Sequence, residues 1–428
     1  MTPGGLEDVW RRESPYVLGA LLRRHGDLAD CEDAAQEALE AAARRWVDAG
    51  MPDNPRGWLI RVASRRLIDH TRAERARAAR EDALAAAQPR DTFAAPAVED
   101  QQATQDDSLQ LLLLCCHPAL TRSSQVALTL RSVGGLTTPQ IAAAFLVPER
   151  TMAQRLSRAR STLREVGARF ELPTDAALPE RVAAVLDVLY LVFNEGYTRS
   201  AGAALVDASL TQEAIRLTRQ LSRRLPDHDE VAGALGLMLL TQAREATRTD
   251  EHGDLVPLAE QDRQQWDRER IAEGVAIVER VLPRGSVGRF QLQAAIAAIH
   301  AEAATAEDTD WLQVNLLYQM LEDLDPSPAV RLNRAVAVGM SLGPEHGLAI
   351  VSGLLDDRSM CGHHRTHAVR AHLLEMAGEL GAAADSYRRA AQLAASLPEQ
   401  RYLNHRAQRA RAADAASERR ASSVHNEP

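Results

Sequence analysis

Apolar residues recur along this chain at helical steps, and no stretch sustains the two-residue alternation of a half-buried strand. Long segments rich in Ala, Leu, Arg and Glu, with Gly and Pro scarce inside them, predict an all-α protein. Residues 8–25 and 29–49 read as the first two helices, with Asp30 as the N-cap of the second. Residues 51–55 read as a turn. A long helix follows over 56–80, with Leu59, Val62, Ala63, Leu67 and Ile68 near helical spacing and its other faces cationic. Residues 84–107 hold Pro89, Pro96 and a run of Ala, Gln and Asp, the composition of a solvated linker. From Ser108 the chain turns apolar again, and Pro118 opens the next module. An extended tether of roughly 25 residues reaches about 80 Å.

The most specific pattern lies between 137 and 164. Thr137 and Gln140 have capping-box spacing, so 141–145 should form a short helix ended by the turn Leu146-Val147-Pro148. Leu146 stands where many such turns carry Gly. Pro148 suits the first position of a second helix, and Glu149 complements its N-terminal dipole. In that helix Met152, Leu156, Ala159 and Leu163 form an inward stripe. Arg150, Gln154 and Arg158 follow steps of four on the opposite face, with Thr151 and Arg155 beside them. Gln and Arg so displayed suit bidentate contacts to adenine and guanine edges in a major groove, while neighbouring Arg and Thr hold phosphates. The pattern is a helix-turn-helix.

Charge sharpens this picture. Residues 1–55 carry 6 Arg against 11 acids, 56–80 carry 8 against 2, 81–120 carry 1 against 7, and 121–172 carry 8 against 3. Two basic islands therefore flank an acidic connector, and the net charge of −9 resides beyond residue 172. Every basic residue apart from histidine is arginine, whose planar fork suits phosphate and guanine. A length of 428 residues fits about three domains, each with enough apolar residues for a core. Residues 1–12 lack the apolar core of a secretory signal, and no stretch approaches the ~18 apolar residues of a membrane span, so a cytoplasmic protein with no membrane partner is expected. Four cysteines are too few for a disulfide framework, which fits a reducing compartment.

Together these residues resemble bacterial RNA polymerase sigma factors of the extracytoplasmic-function (ECF) type. The segment Cys31-Glu32-Asp33-Ala34-Ala35-Gln36-Glu37-Ala38 is similar to the acidic segment of sigma region 2. Pro55-Arg56-Gly57-Trp58-Leu59 through Ile68-Asp69-His70-Thr71-Arg72 is similar to its promoter-opening, −10-reading helix, and residues 136–164 to region 4, which reads the −35 element. The resemblance implies that Glu32, Asp33, Gln36 and Glu37 bind core RNA polymerase, on the clamp helices of its β′ subunit. It also implies that Arg56, Trp58, Arg61, Arg65, Arg66, Asp69 and Arg72 meet −10 promoter DNA, with Trp58 as a wedge at the melting point. Arg150, Thr151, Gln154, Arg155 and Arg158 would meet −35 DNA, and the β flap would be a further polymerase contact. In that family the two boxes lie about two DNA turns apart, within reach of the tether. Arg65 stands where many relatives have Asn, which bears on base preference. The implied division is region 2 over 1–83, a linker over 84–107, region 4 over 108–172, a helical extension over 173–415 and a disordered tail over 416–428.

The extension carries weak internal periodicity. Ala383 and Tyr387 have counterparts 36 residues earlier in Gly347 and Val351, and Ala371 pairs likewise with Ala335. Ala214 precedes Pro226 by the same interval that separates Val314 from Pro326. These offsets approach the tetratricopeptide period and suggest four to five degenerate helical repeats. With residues 111–120 (LLLLCCHPAL) and 190–197 (YLVFNEGY), the whole chain resembles the sigma subgroup with a tetratricopeptide-like extension, which implies control through that extension by a small ligand or a protein. Cys361, His363, His364 and His367 would converge poorly on a metal from one helix start, and Cys115-Cys116-His117 reads as core. Asn194-Glu195 and Glu260-Gln261-Asp262, near aromatic residues, lack a base and nucleophile at defined spacing. No metal, cofactor or enzymatic activity is implied. The alternative reading is a one-component helix-turn-helix regulator with a helical-repeat sensor.

Overall fold

The computed structural model describes residues 3–81, 101–198, 207–285 and 287–424, and these are helical apart from connecting loops and one isolated bridge between Thr249 and Leu255. The chain divides into two units, Met1–Leu191 and Val192–Pro428. Most of the tether expected over 84–107 lies outside the described residues, but its last part, from Gln101, is already helix.

In the first unit α1 (Pro3–His25), α2 (Leu28–Ala49) and α3 (Pro55–Glu81) form a bundle. The N-cap of α2 is Asp27, not Asp30: Asp27 Oδ1 accepts from Ala29 N at 2.8 Å and from Asp30 N at 3.1 Å. Leu28 is buried, so the helix begins before Asp30, whose acid sits in the first turn. Small residues let α2 approach its neighbours, with Ala34, Ala35, Ala38 and Ala42 all buried. On α3, Leu59, Ala63 and Leu67 are buried at steps of four while Val62 and Ile68 flank them half-buried. Trp46 closes the base of the bundle edge-on against Trp58, centroids 5.3 Å apart.

The second half of this unit runs α4 (Gln101–Cys115), α5 (Arg122–Ser132), α6 (Thr138–Ala144), α7 (Glu149–Glu165) and the start of α8 (Leu178–Tyr197). Leu111 to Cys116 are buried without interruption. Cys115 and Cys116 therefore pack as core, and burial raises both thiol pKa values.

The second unit continues through α9 (Ala208–Arg224), α10 (Asp229–Gln242), α11 (Arg268–Val281), α12 (Arg289–Glu302), α13 (Trp311–Leu324), α14 (Pro328–Leu342), α15 (Pro344–Leu355), α16 (His364–Met376), α17 (Leu380–Leu393) and α18 (Leu397–Val424). Successive helices pack on one another, and residues 36 apart take matching places. Ala335 of α14 and Ala371 of α16 are fully buried, as are Val351 of α15 and Tyr387 of α17. Gly347 shows why small residues stand at these crossings: a Cβ there would come 2.6 Å from the Ala335 carbonyl oxygen. α18 continues as helix to Val424, past residue 416 where a disordered tail was expected. Its Ala, Arg and Glu are strong helix formers.

Candidate nucleic-acid interface

The helix-turn-helix is built by local chemistry. Thr137 N donates to Gln140 Oε1 at 2.8 Å and Gln140 N to Thr137 Oγ1 at 3.4 Å, completing the expected capping box at the start of α6. The turn then requires a left-handed residue, and Leu146 supplies it with φ of 50°; among the described residues it alone adopts positive φ without being glycine. The residue is 51% exposed, so burial compensates that conformation only in part. Pro148 is the N-cap of α7 rather than its first helical residue, and Glu149 follows in the first turn.

α7 then sorts its side chains as its periodicity requires. Met152, Leu156, Ala159 and Leu163 are buried against the preceding helices. Arg150, Thr151, Gln154 and Arg158 are exposed and Arg155 is half-exposed. Among the described residues neither Arg150 nor Arg158 forms an ion pair, so their donors remain available.

A different flank of α7 meets α2. Arg160 lies 2.6 Å from Glu32, and Arg164 bonds Asp27 at 2.7 and 3.0 Å. That hydrogen bond from Arg164 is the largest cause holding the Asp27 carboxyl below its usual range. Ser132 at the end of α5 donates to Glu32, and Arg131 reaches Gln36 at 3.2 Å. Desolvation, foremost, lowers the Arg131 pKa. Gly135 (φ 69°) presses on α1, where a Cβ would stand 2.9 Å from Ser14 Oγ and 3.2 Å from Arg11 Cα. Of the four residues expected on an accessible docking face, Asp33 and Glu37 are exposed, Gln36 is half-buried and Glu32 is only 5% exposed. α5 and α7 cover Glu32 through Ser132 and Arg160.

On α3, Arg61, Arg65, Arg66, Asp69 and Arg72 are exposed. Arg66 lies 3.4 Å from Glu37, which joins this surface to the edge of α2. Arg56 does not share it: its guanidinium bonds Glu13 at 2.6 Å and lies 4.0 Å over the Tyr16 ring. Trp58 is half-buried on Trp46. Beside the exposed arginines a cavity of about 310 Å³ opens between α1 and α3, with Ile60 and Ile68 as its apolar lining, Arg61, Arg65, Asp69 and Arg72 around it, and Arg24 from α1. Ser64 also lines it, and its buried hydroxyl has no hydrogen-bond partner among the described residues. Sequence reading missed Arg24, Ser64, Arg160 and Arg164. The step of four from Arg160 to Arg164, on the side away from Arg158, was the available signal for the last two.

The other expectations on chemistry resolve into structural roles. Cys361 is exposed; His367 Nε2 lies 2.8 Å from its carbonyl oxygen, while His363 stacks on His364 and His364 faces Glu399 at 3.4 Å. No group of metal-ligating side chains converges among the described residues. Gln261 donates to Val256 O at 3.0 Å, Asp262 caps its own turn through Gln264 N at 3.0 Å, and Trp266 Nε1 donates to Thr247 Oγ1 at 3.0 Å. These groups pin the loop before α11. Among the described residues no helix is long and apolar enough to cross a membrane.

Comparison with known proteins agrees with this division. Residues 9–77 match the model of sigma-70 region 2, residues 110–163 that of sigma-70 region 4, and residues 181–282 a family of unknown function, DUF6596. Uncharacterized protein R00370 of Rhizobium meliloti (strain 1021) is 41% identical over 391 residues, covering 91% of this chain and 92% of that protein. The probable ECF RNA polymerase sigma factor SigI of Mycobacterium tuberculosis, in two strains, is 32% identical over 157 residues, which is 37% of this chain and 53% of SigI. The chain thus matches about half the length of SigI. No solved structure matches. Regions 2 and 4, in that order and on the helices described above, place the chain in the sigma-70 family: it is an ECF-type sigma factor, one of the non-enzymatic proteins that direct RNA polymerase to promoters, with a helical DUF6596 domain following region 4.

Proposed function

We propose that the two arginine surfaces divide promoter recognition between them. On α7, Arg150, Gln154 and Arg158 read base edges of the −35 element in the major groove, and Thr151 and Arg155 hold adjacent phosphates. On α3, Arg61, Arg65, Arg66 and Arg72 track the −10 strand, with Asp69 among them. The cavity beside Ser64 takes a base withdrawn from the stack, as such recognition requires. Trp58 stands at the edge of the opened duplex, and Arg56 holds the start of α3 in place. Glu32, Asp33, Gln36 and Glu37 dock on the β′ clamp helices of core polymerase, and region 4 meets the β flap. The protein therefore acts in the cytoplasm, with polymerase and DNA.

The observation that carries this reading is the sorting of α7: four apolar residues face inward while Arg150 and Arg158 remain exposed and, among the described residues, without ion-pair partners. In the second unit, the matched burial of Ala335 with Ala371 and of Val351 with Tyr387 supports a tetratricopeptide-like array that regulates the factor by binding a small ligand or a protein. Run-off transcription with core enzyme tests the proposal. A discrete, promoter-dependent transcript is expected, lost when the −35 box is scrambled; transcripts indifferent to promoter sequence would contradict it.

A further inference from the structure

On α13 the residues Leu312, Leu316, Met320 and Leu324 follow one another at steps of four, and each is 48–58% exposed. No other helix among the described residues lines up four large exposed apolar side chains in this way. The folding of the unit does not use this stripe, because α13 packs on α12 and α14 through Val314, Leu317, Tyr318 and Leu321. The remaining exposed positions of α13 are Gln313, Gln319 and Asp323, so the face carries a single charge. The other acid of the helix, Glu322, is half-buried and turned to α14, 2.9 Å from Arg331 and 2.6 Å from Arg334. On α11, by contrast, the charged residues Arg268, Glu269, Glu279 and Arg280 are four of the six exposed. Asn315 Nδ2 donates to Ser341 Oγ at 3.3 Å, which brings the end of α14, with exposed Leu342, alongside the first turns of α13 and widens the patch.

We propose that this face joins two copies of the chain, α13 packing on the α13 of the partner across a two-fold axis. Area, charge and symmetry each select a second copy as the occupant. Leu and Met side chains exposed to this degree present roughly 100 Å² apiece, so the five apolar residues offer about 500 Å², the upper end of what a monomer leaves open, and the polar rim adds about 200 Å². Two such faces bury about 1,400 Å² in all, within the range of specific interfaces and above that of chance contacts. The chain beyond residue 172 carries the whole net charge of −9, so most of its faces would repel their own copies, whereas this one holds a single acid. A face made for a strongly charged partner would show the complementary charges that this one lacks. The stripe is also apolar in either direction. Antiparallel pairing centred on position 318 sets Leu316 against the partner's Met320 and Leu312 against the partner's Leu324. The same operation sets Asp323 against the partner's Gln313, whose amide can donate to the carboxylate, so the one charge is not stranded. Residues at steps of four form the ridges that interdigitate when helices cross at about 50°, which centres the contact on Leu316 and Met320.

Sedimentation velocity of the full chain, from about 1 to about 200 µM, tests the proposal. A monomer–dimer equilibrium with a dissociation constant on the order of tens of micromolar is expected, as suits an interface toward the smaller end of the specific range. Leu316→Glu and Met320→Glu, both at exposed positions, should each weaken the dimer at least tenfold without lowering the melting temperature, whereas Ala276→Glu on the exposed face of α11 should leave it unchanged. The pairing is read with Leu316→Cys and Met320→Cys placed in separate chains that also carry Cys361→Ser, since Cys31, Cys115 and Cys116 are buried. Mixed and treated with a mild oxidant, the two chains should form a disulfide with each other at least threefold faster than either forms one with itself. A monomeric mass at every concentration, or a dimer indifferent to Leu316→Glu and Met320→Glu, would overturn the proposal. Faster disulfide formation within either variant alone would overturn the antiparallel pairing. These readouts involve neither polymerase nor DNA, so their failure would leave the promoter reading untouched.

Discussion

Arg160 of α7 lies 2.6 Å from Glu32 of α2, and Glu32 exposes only 5% of its surface. Removing one member of a buried pair ordinarily costs about 3–5 kcal/mol, because the other charge is left stranded. The pair lies where α7 meets α2, so if α7 lifts away on substitution and Glu32 rehydrates, the loss is capped at the free energy of that contact. We predict that Arg160→Ala changes the melting temperature of the first unit little while clearly increasing hydrogen exchange over residues 28–38. Unchanged exchange together with a large fall in melting temperature would mean that the pair belongs to an inseparable core.

Leu146 offers a test of local strain. A left-handed conformation costs a non-glycine residue about 1–2 kcal/mol, and Leu146 is only about half covered in return. Leu146→Gly should therefore stabilise the helix-turn-helix by about 1 kcal/mol, less the extra entropy of glycine in the unfolded chain. Leu146→Val should destabilise it, since a β-branched side chain tolerates that φ less well. Urea titration of the full chain reads both.

Arg158 and Arg61 separate the two readers. Arg158→Ala should weaken discrimination of the −35 box by about 1–3 kcal/mol, measured as competition between wild-type and scrambled −35 DNA for the holoenzyme. Arg61→Ala should leave that competition unchanged and slow promoter opening, read by fluorescence of 2-aminopurine placed in the −10 box.

How far these sites were legible in sequence depended on the range of the interactions. The stripe Met152, Leu156, Ala159, Leu163 and the Thr137–Gln140 box follow from helical period and cap chemistry, so a few consecutive residues sufficed. Asp27 was missed as a cap because Asp30 also stands before a helical pattern; only the burial of Leu28 decides between them. The covering of Glu32 depends on Ser132 and Arg160, both about 100 residues or more away in sequence, and local pattern carries no information on such a pairing. The cavity beside Ser64 likewise needs Arg24 from another helix. In the second unit, the 36-residue recurrence was visible because the same small residues are needed wherever two helices cross, as at Ala335 and Gly347.

His300 gives the second unit a pH dependence. Burial, foremost, with Arg244 and Arg263 nearby, pushes its pKa down to about 4 from 6.5. The unfolded chain therefore binds a proton between those values that the folded unit does not. Stability is fully present above pH 6.5 and declines as pH falls toward 4, by about 3 kcal/mol for this group. His300→Gln should flatten that part of the stability profile, measured by urea unfolding at pH 7, 6, 5 and 4. A slope unchanged by the substitution would show that His300 titrates normally.

The central claim is that this chain opens promoters as part of RNA polymerase rather than binding duplex DNA alone. Permanganate footprinting of a promoter fragment with the protein, with core enzyme, and with both addresses it most directly. The account predicts reactive thymines around the −10 box only when both are present, suppressed by Arg61→Ala. Protection of duplex DNA by the protein alone, with no reactive thymines after core enzyme is added, would contradict it and favour a one-component regulator.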